Sequence, residues 1–127
     1  MNPMALARIG WAYLRRAPTV DAGPLRIWIE PTAACNLHCA FCPTGVGEVS
    51  PGLLMPEQLF RKILAQLPPA TSVNLHHRGE PLLHPSTPTF AGALVRAGHR
   101  VRLHTNGTRL TPEIRKRLLE SRLQVLS

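Results

Sequence analysis

Cys35, Cys39 and Cys42, in the run CNLHCAFC, are all the cysteines of a 127-residue chain. Three thiols cannot pair off among themselves, because disulfide formation leaves one over. Such a cluster points to metal or catalytic chemistry, and three readings compete for it. A four-iron cluster held by three thiolates leaves one iron free for a substrate or cofactor. Zinc would recruit His38 to complete a Cys3His set. Structural zinc sites usually pair two short chelating turns, however, and no second cysteine turn follows here. Dithiol redox chemistry by Cys39-Ala40-Phe41-Cys42, followed by Pro43, would leave Cys35 without a task. A c-type haem attachment is excluded, since proline and not histidine follows Cys42.

The segments around the cluster decide how those thiols are presented. Leu25-Arg26-Ile27-Trp28-Ile29-Glu30 alternates and is rich in β-formers, which predicts a strand ending at the cysteine loop. Pro56-Glu57 then opens a helix whose apolar residues, Leu59, Phe60, Ile63, Leu64 and Leu67, recur at helical spacing until Pro68-Pro69. The cycle repeats. Ser72–His76 predicts a second strand, followed by the loop His77-Arg78-Gly79-Glu80-Pro81 and a helix from about Thr87 to Ala97 with Gly98 as a left-handed cap. Arg100–His104 predicts a third strand with the loop Thr105-Asn106-Gly107-Thr108. Thr111-Pro112-Glu113 starts a third helix, with Ile114, Leu118 and Leu119 as its apolar face. Leu123–Ser127 reads as a fourth strand.

Strand–helix alternation with short connections predicts an α/β fold with a parallel sheet. Ligands bind at the carboxyl ends of such strands. All three special loops fall at that end, bringing thiols, a carboxylate and small polar groups together. A fourth strand with no helix to cover it would leave a raw edge, so a truncated sequence, or part of a longer protein, is expected.

Composition narrows the class further. An apolar fraction of 44% is that of a globular protein, and the lack of a disulfide framework favours a reducing, cytoplasmic setting. The net charge of +8 comes from arginines scattered along the chain, with no basic run interleaved with aromatics, so solvated faces explain it better than nucleic-acid binding does. The apolar stretch Met4–Leu14 is too short to span a bilayer. Its order is also wrong for a signal peptide, because the basic pair Arg15-Arg16 comes after it. Leu6, Ile9, Tyr13 and Trp11 predict an amphipathic helix packed on its own domain, with a helix lying on a membrane surface as the alternative. Residues 1–24 are expected to be an N-terminal extension of helix plus linker, and 25–127 the N-terminal portion of a core domain.

Glu30-Pro31-Thr32 followed by Cys-x3-Cys-x2-Cys, with an aromatic before the last cysteine, resembles the radical S-adenosylmethionine (radical SAM) superfamily. Gly79-Glu80-Pro81 resembles that family's Gly-Gly-Glu element, and Thr105-Asn106-Gly107 its third-strand loop. The resemblance runs from Leu25 to Ser127, about four-fifths of the chain. It is nearest to the SPASM and twitch type, which often carries a C-terminal auxiliary-cluster domain. It implies a TIM-like partial (β/α) barrel, here truncated after about three β/α units.

The same resemblance implies roles. Cys35, Cys39 and Cys42 would ligate a [4Fe–4S] cluster whose fourth iron takes S-adenosyl-L-methionine. Phe41 would lie on the adenine and Glu80 would accept from the methionine ammonium. Gly79 and Pro81 would shape the same contact, Thr105 and Asn106 would line the floor, and Ser127 would reach the ribose. The implied enzyme generates a 5′-deoxyadenosyl radical that abstracts hydrogen from a peptide or small molecule, with a flavodoxin or ferredoxin as electron donor. Arg78 departs from the family pattern, standing where the first glycine is usual. The alternatives are a zinc-binding Cys3His interaction module with a basic nucleic-acid surface, or an inactive truncated form of the same enzyme. For Glu80 the plain reading is an exposed turn acid, for Phe41 a core aromatic, and for His76, His77, His84 and His104 structural or exposed histidines.

Overall fold

In the computed structural model, which describes residues 3–47 and 53–127, four strands make one sheet in the order β1-β2-β3-β4. They are Arg26–Trp28, Ser72–Asn74, Arg100–Leu103 and Val125–Leu126. Every neighbouring pair is parallel, with Arg26 opposite Ser72, Ser72 opposite Arg100 and Arg102 opposite Val125. The expected α/β partial barrel is thus the observed class. Its ladders are shorter than the apolar runs suggest, because the strand ends turn into the loops. Backbone pairing nevertheless continues beyond them: Ile29 N donates to Asn74 O at 2.9 Å and Ser127 N to Leu103 O at 3.0 Å. The outer edge of β4 pairs with no strand among the described residues.

Side-chain alternation gives the sheet two unlike faces. Val73, Leu75, Val101 and Leu103 have no exposed surface and meet the helices α2 (Glu57–Gln66), α3 (Thr87–Arg96) and α4 (Pro112–Ser121). Phe60 of α2 and Phe90 of α3 stack at 4.0 Å, and Ala91, Leu94 and Leu118 complete this core. Burial of each such large side chain stabilises the fold by about 1.5–3 kcal/mol. The opposite face carries Arg26, Trp28, Arg100 and Arg102, all exposed. Helices therefore cover one side only, as in a barrel wall.

The helix ends follow their sequence signals. Thr111 Oγ1 accepts from Ile114 N at 3.3 Å at the start of α4, and Gly98 takes φ +84 after α3. The apolar faces are narrower than periodicity suggests. Leu59 is 46% and Leu119 80% exposed, because the sheet covers only part of each helix.

The first helix, α1 (Pro3–Leu14), buries no residue fully. Its half-buried face is Ala5, Ile9 and Ala12, and Leu6 and Tyr13 point outward. That corrects the expected packing face. The helix is tied to the following linker through Arg8, whose guanidinium lies 3.5 Å from Asp21, while Arg15 covers the Trp11 ring. Met4, Ala5 and Arg8 border a cavity with Leu25, Pro68 and Thr71, at the amino ends of the strands. This places α1 away from the cysteine loop.

Candidate cofactor-binding site

Each strand delivers one loop to the same end of the sheet, and hydrogen bonds between the loops make them a unit. The cysteine loop is closed at its base, where Met55 N donates to Pro31 O at 2.8 Å and Thr32 bridges to Leu54. Within it, Cys42 N donates to Cys39 O at 3.1 Å, turning the chain so that the second and third thiols lie on one tight bend. All three cysteines are free thiols; Cys39 is exposed, and Cys35 and Cys42 are half-buried. Hydrogen bonds from the backbone of Gly45 and then Thr44 push the Cys42 thiol below its ordinary pKa, which favours the ligating thiolate.

The second loop is pressed against the first. Glu30 Oε1 accepts from Arg78 N at 2.6 Å and from Gly79 N at 3.0 Å. Glu80 N donates to Ala34 O at 2.8 Å. A β-carbon on Gly79 would stand 2.1 Å from Thr32 O, so this position requires glycine through close backbone approach. The departure at Arg78 is accommodated because its neighbour makes that contact, and its own side chain lies in the exposed wall.

Glu80 is no exposed turn acid. It is 2% exposed and joins the second loop to the third. Its Oε1 accepts from Leu82 N at 2.9 Å and from Thr105 Oγ1 at 2.7 Å, and its Oε2 accepts from Asn106 N at 2.6 Å. A carboxylate has about four acceptor positions, so one on Oε2 remains for a ligand. Asn106 closes the ring of loops, since its Nδ2 donates to Asn36 Oδ1 at 3.0 Å and lies 4.0 Å from Cys35 Sγ. Asn36 Nδ2 donates to Thr108 Oγ1 at 2.8 Å.

These loops enclose an open cleft of about 380 Å³. Cys35, Cys39, Cys42, Phe41, Gly79, Glu80, Thr105, Asn106 and Ser127 all line it. Pro81 does not; it is buried beneath the cleft as the start of a short helical turn, Pro81–Leu83, that supports Glu80. Phe41 is 93% exposed at the rim, which rules out the core-aromatic reading and leaves an apolar ring face open to a flat partner. His38 does not line the cleft.

Sequence reasoning missed two groups of residues. His76 and His104, at the carboxyl ends of β2 and β3, form part of the floor, their rings 4.2 Å apart. His104 N donates to His76 Nδ1 at 3.2 Å, and His104 Nδ1 lies 2.8 Å from Ser127 Oγ. Burial, then the neighbouring His104, pushes His76 below the usual imidazole range. Their matching strand-end positions were the available signal. Glu30 and Asn36 were visible only as parts of the cysteine motif. His84, by contrast, is structural as expected, buried with Nε2 2.9 Å from Met55 O.

The donor set fits the implied groups. Three thiols spread around a cleft suit a cluster of several irons. An exposed aromatic ring, a buried carboxylate with one free acceptor and a polar floor suit a nucleoside carrying an amino acid.

Comparison with known proteins agrees with this reading. The radical SAM superfamily pattern matches residues 29–127. The chain is 36% identical over 108 residues to the AdoMet-dependent heme synthase of Methanosarcina barkeri, covering 84% of this chain and 31% of that protein. It is 35% identical over 97 residues to the PqqA peptide cyclase of Streptomyces rochei, covering 76% of this chain and 26% of that one. Its fold is similar to the crystal structure of BtrN in complex with AdoMet and 2-DOIA, with a TM-score of 0.73 and 27% identity over 84% of this chain and 45% of BtrN. The chain therefore spans about a third or less of these two curated relatives and 45% of the BtrN chain in that structure.

Proposed function

The chain belongs to the radical SAM superfamily, and from that premise we propose that its cleft holds a [4Fe–4S] cluster on Cys35, Cys39 and Cys42 beside S-adenosyl-L-methionine. The observation that carries this reading is the gathering of the three thiols, Glu80, Phe41, Asn106 and Ser127 around one cleft. When bound, the cluster and S-adenosylmethionine together supply a 5′-deoxyadenosyl radical able to abstract hydrogen from a substrate.

The protein's own part is binding and orientation. Glu80 offers its remaining acceptor to the methionine ammonium, a charge-assisted contact. Phe41 lays its ring on the adenine. Thr105 and Asn106 are fixed by Glu80 as the floor, and Ser127, steadied by His104, stands where the ribose hydroxyls come. Gly79 lets the loop approach, and Pro81 anchors the turn behind it. A cleft this open leaves room for a substrate, a peptide or a small molecule, beside the cofactor.

The proposal extends to the setting. Residues 1–24 are an N-terminal extension, 25–127 belong to the cluster-bearing core, and the SPASM and twitch type is the nearest subgroup. The protein works in the cytoplasm with a flavodoxin or ferredoxin as electron donor. No helix among the described residues is long and apolar enough to cross a membrane.

Anaerobic reconstitution with iron and sulfide tests the reading. A brown protein with about four irons per chain is expected. The cluster should be lost in Cys39→Ala and kept in His38→Ala. Stoichiometric zinc without iron, lost in His38→Ala, would establish the Cys3His module instead.

A further inference from the structure

We propose that Glu30 is a positioning residue of the cofactor cleft: its carboxylate holds the backbone of the second loop and thereby aims Glu80. This inference rests on the cofactor reading above and adds to it a residue outside the cleft lining.

Glu30 lies two residues beyond β1, and its Oε1 accepts from two successive amides, Arg78 N at 2.6 Å and Gly79 N at 3.0 Å. Those amides belong to a loop just beyond the β2 ladder, where no strand among the described residues pairs with them. Two successive N–H groups aimed at one oxygen favour a negative charge there, and here the protein supplies its own carboxylate. The next residue is Glu80, whose backbone N is fixed on Ala34 O. With Arg78 and Gly79 pinned, the Glu80 side chain starts from a fixed point and reaches Leu82 N, Thr105 Oγ1 and Asn106 N together. Glu30 thus links the strand that leads into the cysteine loop to the acid facing the cofactor.

The test uses the 127-residue chain with its cluster reconstituted, and measures S-adenosylmethionine affinity by titration calorimetry. Glu30→Ala is expected to weaken binding roughly tenfold or more, as loss of a supporting hydrogen-bond partner does at metal sites, with iron content little changed. Glu30→Gln keeps an amide oxygen able to accept from both N–H groups, so it is expected to restore most of the affinity. Glu30→Asp, one methylene shorter, is expected to fall below Glu30→Gln, and that comparison stands even if Glu30→Ala does not fold. In the metal-free chain, hydrogen exchange at the Arg78 and Gly79 amides should speed up in Glu30→Asp and stay slow in Glu30→Gln. Unchanged affinity in Glu30→Ala or Glu30→Asp, or Glu30→Gln as weak as Glu30→Asp, would overturn the assignment. A loaded, unsubstituted chain that fails to bind S-adenosylmethionine would remove the cofactor reading first, and this inference with it.

Discussion

Two carboxylates organise the site, and neither acts as an isolated charge. Glu80 is buried to 2% exposure with three donors on it, so its first task is to lock the Thr105–Asn106 loop. That arrangement makes a definite prediction. In Glu80→Gln the amide keeps one acceptor oxygen and turns its NH2 toward a donor, either Asn106 N or Leu82 N. Losing a charge-assisted bond and leaving a buried N–H unpaired should cost about 1–3 kcal/mol, read as a lowered urea midpoint of the metal-free chain. An unchanged midpoint would mean that the carboxylate is not the latch described. Its role was legible in the sequence only through the position after β2. Nothing local revealed that Thr105 and Asn106, 25 and 26 positions away, would be its partners.

At the scale of elements, the strand–loop–helix units were legible because each one announces itself locally. Alternation marks Arg26–Trp28, Pro56-Glu57 opens α2, and Thr111-Pro112 caps α4. Ladder lengths and helix faces were not, since they depend on what the neighbouring element covers. Leu59 and Leu119 have helical spacing yet stay exposed, and α1 buries Ala5, Ile9 and Ala12 in place of the larger residues. The first two loops meet in close backbone contact. Gly79→Ala would put a β-carbon 2.1 Å from Thr32 O and 2.7 Å from the Ala33 carbonyl carbon, both backbone atoms with little room to move. Such overpacking should destabilise the chain by about 1–3 kcal/mol, seen as a lower melting temperature, and should reduce iron loading because the base of the cysteine loop is displaced. Normal iron uptake and melting would show that the loops do not meet this closely.

For the molecule as a whole, a sheet covered by helices on one side presents a cationic face on the other, while the cleft lined by the three loops sits at its carboxyl-end rim. Two histidines, the half-buried His76 and the buried His99, make its stability depend on pH. Burial lowers the pKa of His76 and of His99, which is 5% exposed. A histidine with a lowered folded-state pKa binds protons more readily when unfolded, so stability rises with pH across the interval between the two values. It should therefore be full above the unfolded value of about 6.5 and fall as the pH drops below it. Urea midpoints of the metal-free chain between pH 7.5 and about 5 check this: a decline is expected, with a shallower slope in His76→Gln. A midpoint that rises on acidification would contradict the lowered pKa of both rings.

By itself, the sequence determined the thiol spacing, the alternation of strand and helix, and the order in which the three loops follow their strands. All of these are local patterns, set within a few turns of chain. Only the tertiary structure decided that Glu30 reaches Arg78 and Gly79, that Glu80 spans to Asn106, and that Asn106 returns to Asn36. Those bonds join residues 26 to 70 positions apart, and they exist because the parallel register stacks the strand ends side by side. The three sulfurs and their spacing belong to the sequence, whereas the cleft in front of them belongs to the fold.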